Sequence, residues 1–153
     1  MNNPDFISLN PVFYGMGLVP QQYWKEYGFA LLTIAGSDGE LSGPELSWLV
    51  SDLASELEVP STIVDEWKAF DATSADLVDL FASFSFSSIA SFNKVILYDA
   101  MRMSYADNEF SDNERNAIAT AARLLNLDKE ALVSIEALVE LERAAEKLRS
   151  TLI

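Results

Sequence analysis

The chain has 153 residues, half of them apolar and 22% charged, so it is long enough for one domain and folds around a real core. Ten Lys and Arg against 24 Asp and Glu give a net charge of −14, which argues against nucleic acid and anionic lipid as direct ligands, because phosphate would be repelled. Cys and His are both absent, which removes disulfides, zinc sites of the usual type, thiol catalysis and imidazole mechanisms.

The opening MNNPDFISLN has no basic run followed by an apolar one and does not read as a signal peptide. The uncharged stretch from Phe6 to Trp24 is broken by Pro11, Pro20 and two glycines and does not read as a membrane span. The expectation is a soluble cytoplasmic protein. Residues 1–19 read as an N-terminal arm whose Phe6, Phe13 and Tyr14 pack on a helical body, with an oligomer contact as the second reading. Residues 20–153 read as one all-helical domain.

From Pro20, Tyr23, Tyr27, Ala30, Leu31 and Ile34 recur at helical spacing up to a stop near Gly36. A second helix is predicted from about Pro44 to Leu57, with Leu46, Leu49, Val50, Leu53 and Leu57 on one side. A third follows Pro60 and carries Ile63, Val64, Trp67 and Phe70. A fourth spans about 75–84. The Ser- and Phe-rich run after it alternates like a strand but has no second strand to pair with. It reads as a helix break near Ser85–Ser88, with Ser87 or Ser88 as a cap. The fifth helix, about 88–105, is apolar nearly all round and should be central. A sixth covers about 112–125. A seventh runs from Asp128 to Leu148 or beyond, with Leu132, Ile135, Leu138, Val139, Leu141 and Leu148 as its stripe and Glu142 and Glu146 on a solvated face. Trp24, Trp48 and Trp67 read as core. The fold class is all-α, a bundle of about seven helices.

The helices repeat. SDGELSGPEL (37–46) matches ADNEFSDNER (106–115) at an offset of 69, pairing Asp38 with Asp107, Glu40 with Glu109, Ser42 with Ser111 and Glu45 with Glu114. LEVP (57–60) and LNLD (125–128) follow at an offset of 68. The unit is helix, acidic turn, helix, short turn, helix, twice over, and pseudo-twofold packing with the two turns near one another is the natural expectation. Two explanations of the shared pattern stand side by side. In one, Ser-x-x-Glu is a capping box in each repeat, and Gly39 and Asn108 supply the turn's positive φ, with no ligand. In the other, the turn is the second half of an EF-hand loop. Positions one and three of that loop would be Ile34 and Gly36, or Met103 and Tyr105, which offer no side-chain oxygen, so a complete EF-hand is excluded. Two half-loops facing each other could still join Asp38, Glu45, Asp107 and Glu114, four negative charges that need a cation, a basic partner or raised pKa values.

The repeated DGELSGPE and DNEFSDNE, each between an apolar and an amphipathic helix of an acidic seven-helix chain, resemble the TerB-like tellurite-resistance family over about residues 22–150. The resemblance implies a compact all-α fold and an acidic face that chelates metal. It also implies a location that is cytoplasmic or associated with the inner membrane, peripherally and through protein partners, and a role in stress or resistance assemblies, not in catalysis. It carries the ligand role to Asp38, Glu45, Asp107 and Glu114, with Glu40, Glu109 and Asp112 behind them. The sequence departs from the family pattern at Asn108, where the motif has Gly; Asn accepts the same backbone shape. The expected function is a non-enzymatic scaffold or sensor that binds a divalent cation, Ca2+ or Mg2+, in a tellurite-resistance or stress system. The alternative is a metal-independent module that docks a basic protein partner on its acidic face. Catalysis by paired carboxylates is disfavoured, since no base, thiol or phosphate loop accompanies them. Lacking Cys, the chain cannot itself reduce tellurite through a thiol.

Overall fold

A computed structural model describes residues 21–37, 41–83, 90–108 and 110–152. The arm and the Ser87 or Ser88 cap therefore lie outside the described residues.

A 3-10 turn, Gln21–Tyr23, leads into α1, Trp24–Ala35. The second helix, α2, is continuous but not uniform: Gly43–Ser47 is α-helical, Trp48–Leu53 widens to π-helical pitch, and Ala54–Leu57 returns to α. Next come α3, Ser61–Ala69, and α4, Leu77–Ser83. Then α5, Ala90–Ser104, runs into a 3-10 turn, Tyr105–Asp107, followed by α6, Asp112–Leu124, and α7, Lys129–Leu152. Among the described residues, seven helices are found where seven are predicted, and no strand.

The all-round apolar helix is central. From Asn93 to Ser104, α5 buries every residue except Lys94 and Arg102, packing against α1, α6 and α7. The face of α1 predicted from its spacing is buried from Tyr27 to Ala35, apart from half-buried Phe29. Gly28 has a steric reason: a Cβ there would lie 2.1 Å from the indole of Trp67, so α1 and α3 are in contact through the missing side chain. The Trp67 indole N–H donates to the carbonyls of Trp24 (3.1 Å) and Lys25 (3.2 Å), so the ring is fixed by hydrogen bonds as well as by packing. Of the three tryptophans only Trp67 is fully buried; Trp24 and Trp48 pack at the core's edge.

The repeat extends to the backbone. Glu58 and Asn126, 68 residues apart, both take left-handed φ, near 60°. After α2, Val59 N–H donates to Ala54 C=O (2.9 Å) and Glu58 N–H to Ser55 C=O (3.3 Å). After α6, Leu127 donates to Ala122 (2.9 Å) and Asn126 to Arg123 (3.1 Å). Each pair of bonds is a Schellman closure, which satisfies carbonyls at a helix end that have no further turn to bond.

The seventh helix departs from expectation. Its inward face is Leu132, Ile135, Leu138 and Val139, but Leu141 and Leu148, placed in the stripe from sequence, are 69% and 64% exposed. The stripe follows the core only as far as the body reaches, and every residue from Ala144 to Leu152 is exposed. Glu142 is not on the solvated face: it is half-buried and accepts a hydrogen bond from the Tyr98 hydroxyl. Glu146 is exposed as expected, paired with Arg149 at 3.1 Å. Among the described residues, no helix is long and apolar enough to cross a membrane.

Candidate functional site

Both capping boxes form. The Ser42 hydroxyl accepts from the Glu45 amide (3.2 Å), and the Ser42 amide donates to Glu45 Oε1 (3.1 Å). In the second repeat the Ser111 hydroxyl accepts from the Glu114 amide, and the Ser111 amide donates to Glu114 Oε1, both at 3.1 Å. Such caps satisfy amides at a helix start that have no intrahelical acceptor, and each stabilises its helix by about 1 kcal/mol. Asn108 takes the positive φ of 64° expected of it.

Caps alone leave one fact unexplained. Surface capping boxes point their carboxylates at water, yet Glu45 and Glu114 are each only 3% exposed. They also lie near each other: the Glu114 carboxyl bears on that of Glu45, where the start of α2 meets the start of α6. Burial, then the Glu114 carboxyl, raises the Glu45 pKa from 4.5 to about 8, against the lowering effect of its bonds from Ser42. The pair as a whole is therefore biased towards retaining a proton. Oε1 of each carboxyl serves its own cap, and Oε2 takes no part in either box. The described flanks of the two acidic turns lie side by side: the Ser37 hydroxyl donates to the Asn113 carbonyl at 3.3 Å, and the start of α2 packs on the Tyr105–Asp107 turn.

The other ligand candidates are less concentrated. Asp107 is half-buried in its 3-10 turn and engaged by neighbours, while Asp112 is exposed in the first turn of α6. Asp38, Glu40 and Glu109 lie outside the described residues. Among the described residues, no three acidic side chains gather as a cation site. Basic groups meet the second turn: Arg143 donates to Asn108 Oδ1 (3.1 Å) with its guanidinium 4.4 Å from the Tyr105 ring, and Arg115 pairs with Glu136 (2.9 Å) above the Phe110 ring.

A second polar centre escaped the sequence reading. Asp99, 1% exposed on α5, accepts from the Tyr27 hydroxyl and from Arg102 (3.1 Å), and Arg102 also holds Glu56 of α2 (2.7 Å). The Arg102 guanidinium lies between the Trp48 and Tyr98 rings, 5.0 and 5.2 Å from their centroids. Burial raises the Asp99 pKa to about 6, with Arg102 opposing, and burial likewise pushes Tyr27 well up. The signal was present in the sequence as an Asp and an Arg inside the otherwise apolar run Val95–Met103. Charges at core positions must be paired there.

No family model matches the chain, and no curated protein matches its sequence. One solved structure is similar: the crystal structure of a tellurite resistance protein from Nostoc punctiforme, with a TM-score of 0.75, 22% sequence identity, and coverage of 99% of this chain and 95% of that one. At that identity the match speaks for the fold. The chain shares the compact all-helical fold of that protein, which is the fold the resemblance of the two acidic turns implies.

Proposed function

We propose that the junction of the two acidic turns is a divalent-cation site, and that the protein is a non-enzymatic scaffold or sensor in a tellurite-resistance or stress system. The observation that supports it most is the burial of Glu45 near Glu114, one carboxyl from each repeat. A pair that must hold a proton to stay buried is a pair in which a cation can replace that proton. Oxygen-only donors suit Mg2+ or Ca2+, which take carboxylate and carbonyl oxygens. The residues fit that chemistry in part: Glu45 and Glu114 would each offer Oε2 without giving up their caps, and Asp38 and Asp107 would complete the set. The solved structure of the same fold being a tellurite resistance protein supports the biological setting.

Binding to the folded state alone raises stability with cation concentration. Thermal melting at pH 8 with millimolar Ca2+, Mg2+ or Mn2+, against chelator, should show a rise of several degrees beyond monovalent salt of equal ionic strength. Calorimetric titration should show one site per chain. No such rise, together with capture of a basic partner that is salt-sensitive but chelator-insensitive, would replace this reading with the metal-independent interaction module.

A further inference from the structure

The outer face of α7 carries a second stripe. Val133, Leu141, Leu148 and Leu152 are 59%, 69%, 64% and 83% exposed, and Ala137 and Ala144 between them are exposed too. Ala137, Leu141, Ala144 and Leu148 follow one another at spacings of four, three and four, the heptad seam of a helix that pairs with another helix. On the part of α7 beyond Arg143 this face has no body beneath it.

Three observations select the occupant. Glu140 and Lys147 flank the seam on one side, seven residues apart, both exposed and neither ion-paired with any described residue. The other flank carries exposed Ala145 and Leu152, with half-buried Leu138 where it meets the core. In an antiparallel pair the like flanks of two copies meet, so Glu140 of each faces Lys147 of the other, twice over. A parallel pair would set that charged flank against the apolar one. Second, α7 holds four of the ten basic residues against five acids, so it is nearly neutral in a chain of charge −14. Two copies can approach there without the repulsion that the rest of the molecule would impose. Third, the rival occupant, residues 1–20, has Asp5 as its only charged side chain and cannot match both flank charges.

We infer that α7 is a homodimer surface, in which the exposed stripe of one copy lies antiparallel on that of a second, with Leu141 over Ala144 and Leu148 over Ala137. This rests on a surface separate from the acidic turns, so either reading can fail alone. Sedimentation equilibrium of the full chain at about 1–100 μM should show monomer and dimer. Leu148→Glu should give monomer throughout with an unchanged melting temperature, since that side chain touches no core. Glu140→Lys and Lys147→Glu should each weaken the dimer about tenfold by setting like charges opposite, and the double variant should return to within about threefold of the parent. Because the chain has no Cys, introduced thiols report geometry cleanly. Ala137→Cys mixed with Leu148→Cys should cross-link on mild oxidation. Ala137→Cys alone should not, its two copies being about 16 Å apart along an antiparallel pair. A chain monomeric at 100 μM, a double charge variant no better than the singles, or self-linking of Ala137→Cys would each overturn the inference.

Discussion

Glu58 holds a left-handed backbone conformation in which its Cβ crowds the carbonyl oxygen, yet the Schellman bonds after α2 need that conformation. Its counterpart Asn126 bears the same φ more easily, because Asn is among the residues that visit this region. Glu58→Gly should therefore stabilise the protein by about 1 kcal/mol, whereas Asn126→Gly should gain less; urea unfolding of the two variants makes the comparison. Arg102 presents the opposite case. It is the only cation hydrogen-bonded to buried Asp99 among the described residues, and Arg102→Leu leaves that carboxylate in the core uncompensated. A loss of about 3 kcal/mol in the same assay is expected. Loss below 1 kcal/mol would mean that water reaches Asp99 from a groove between α2, α5 and α7 that Trp48, Glu56, Tyr98, Arg102 and Glu142 line.

Between elements, the first repeat docks α3 on α1 with a glycine against an indole. At the same offsets the second repeat has Leu97 for Gly28 and Ile135 for Trp67, both buried. One small and one very large residue are replaced by two of middle size. That exchange keeps the volume of a helix contact while changing both partners. Gly28→Ala alone should cost about 2–3 kcal/mol, because the added methyl would overlap a ring held by two hydrogen bonds. Thermal melting with circular dichroism checks it. The elements themselves were legible in the sequence, because the helices carry their own apolar periods and are separated by breaks such as Gly36 and the matching short turns LEVP (57–60) and LNLD (125–128). Legible too were the caps, since Ser-x-x-Glu is a local pattern. The outward turn of Leu141 and Leu148 was not, because spacing gives the faces of a helix but not where its neighbour ends. Nor was the burial of Glu45 and Glu114: a capping box looks the same in sequence whether its carboxylate meets water or its own twin.

Across the whole molecule, the pH dependence of stability follows from two acids with raised pKa values. A group whose folded pKa lies above its unfolded value stabilises most below the unfolded value and loses that contribution as pH rises through the folded one. For Asp99 the window runs from about 4 to about 6, and for Glu45 from 4.5 to about 8. In chelator the melting temperature should therefore fall as pH rises from 5 to 8, and the part above pH 6.5 belongs to the Glu45 junction. Glu45→Gln keeps the capping geometry without an ionisable proton. It should flatten the profile above pH 6.5, raise stability at pH 8 and abolish any gain from divalent cation. A variant with the parent's slope would remove Glu45 as the titrating group. Trp24, Trp48 and Trp67 all belong to the first repeat, and the second has none. Tryptophan emission thus observes one half of the chain, while ellipticity observes both. The two halves carry separate optical labels without any added dye, so the tightness of their coupling, through the shared core, the Tyr27–Asp99 and Arg102–Glu56 bonds and the carboxyl pair, can be read from whether the two signals melt together.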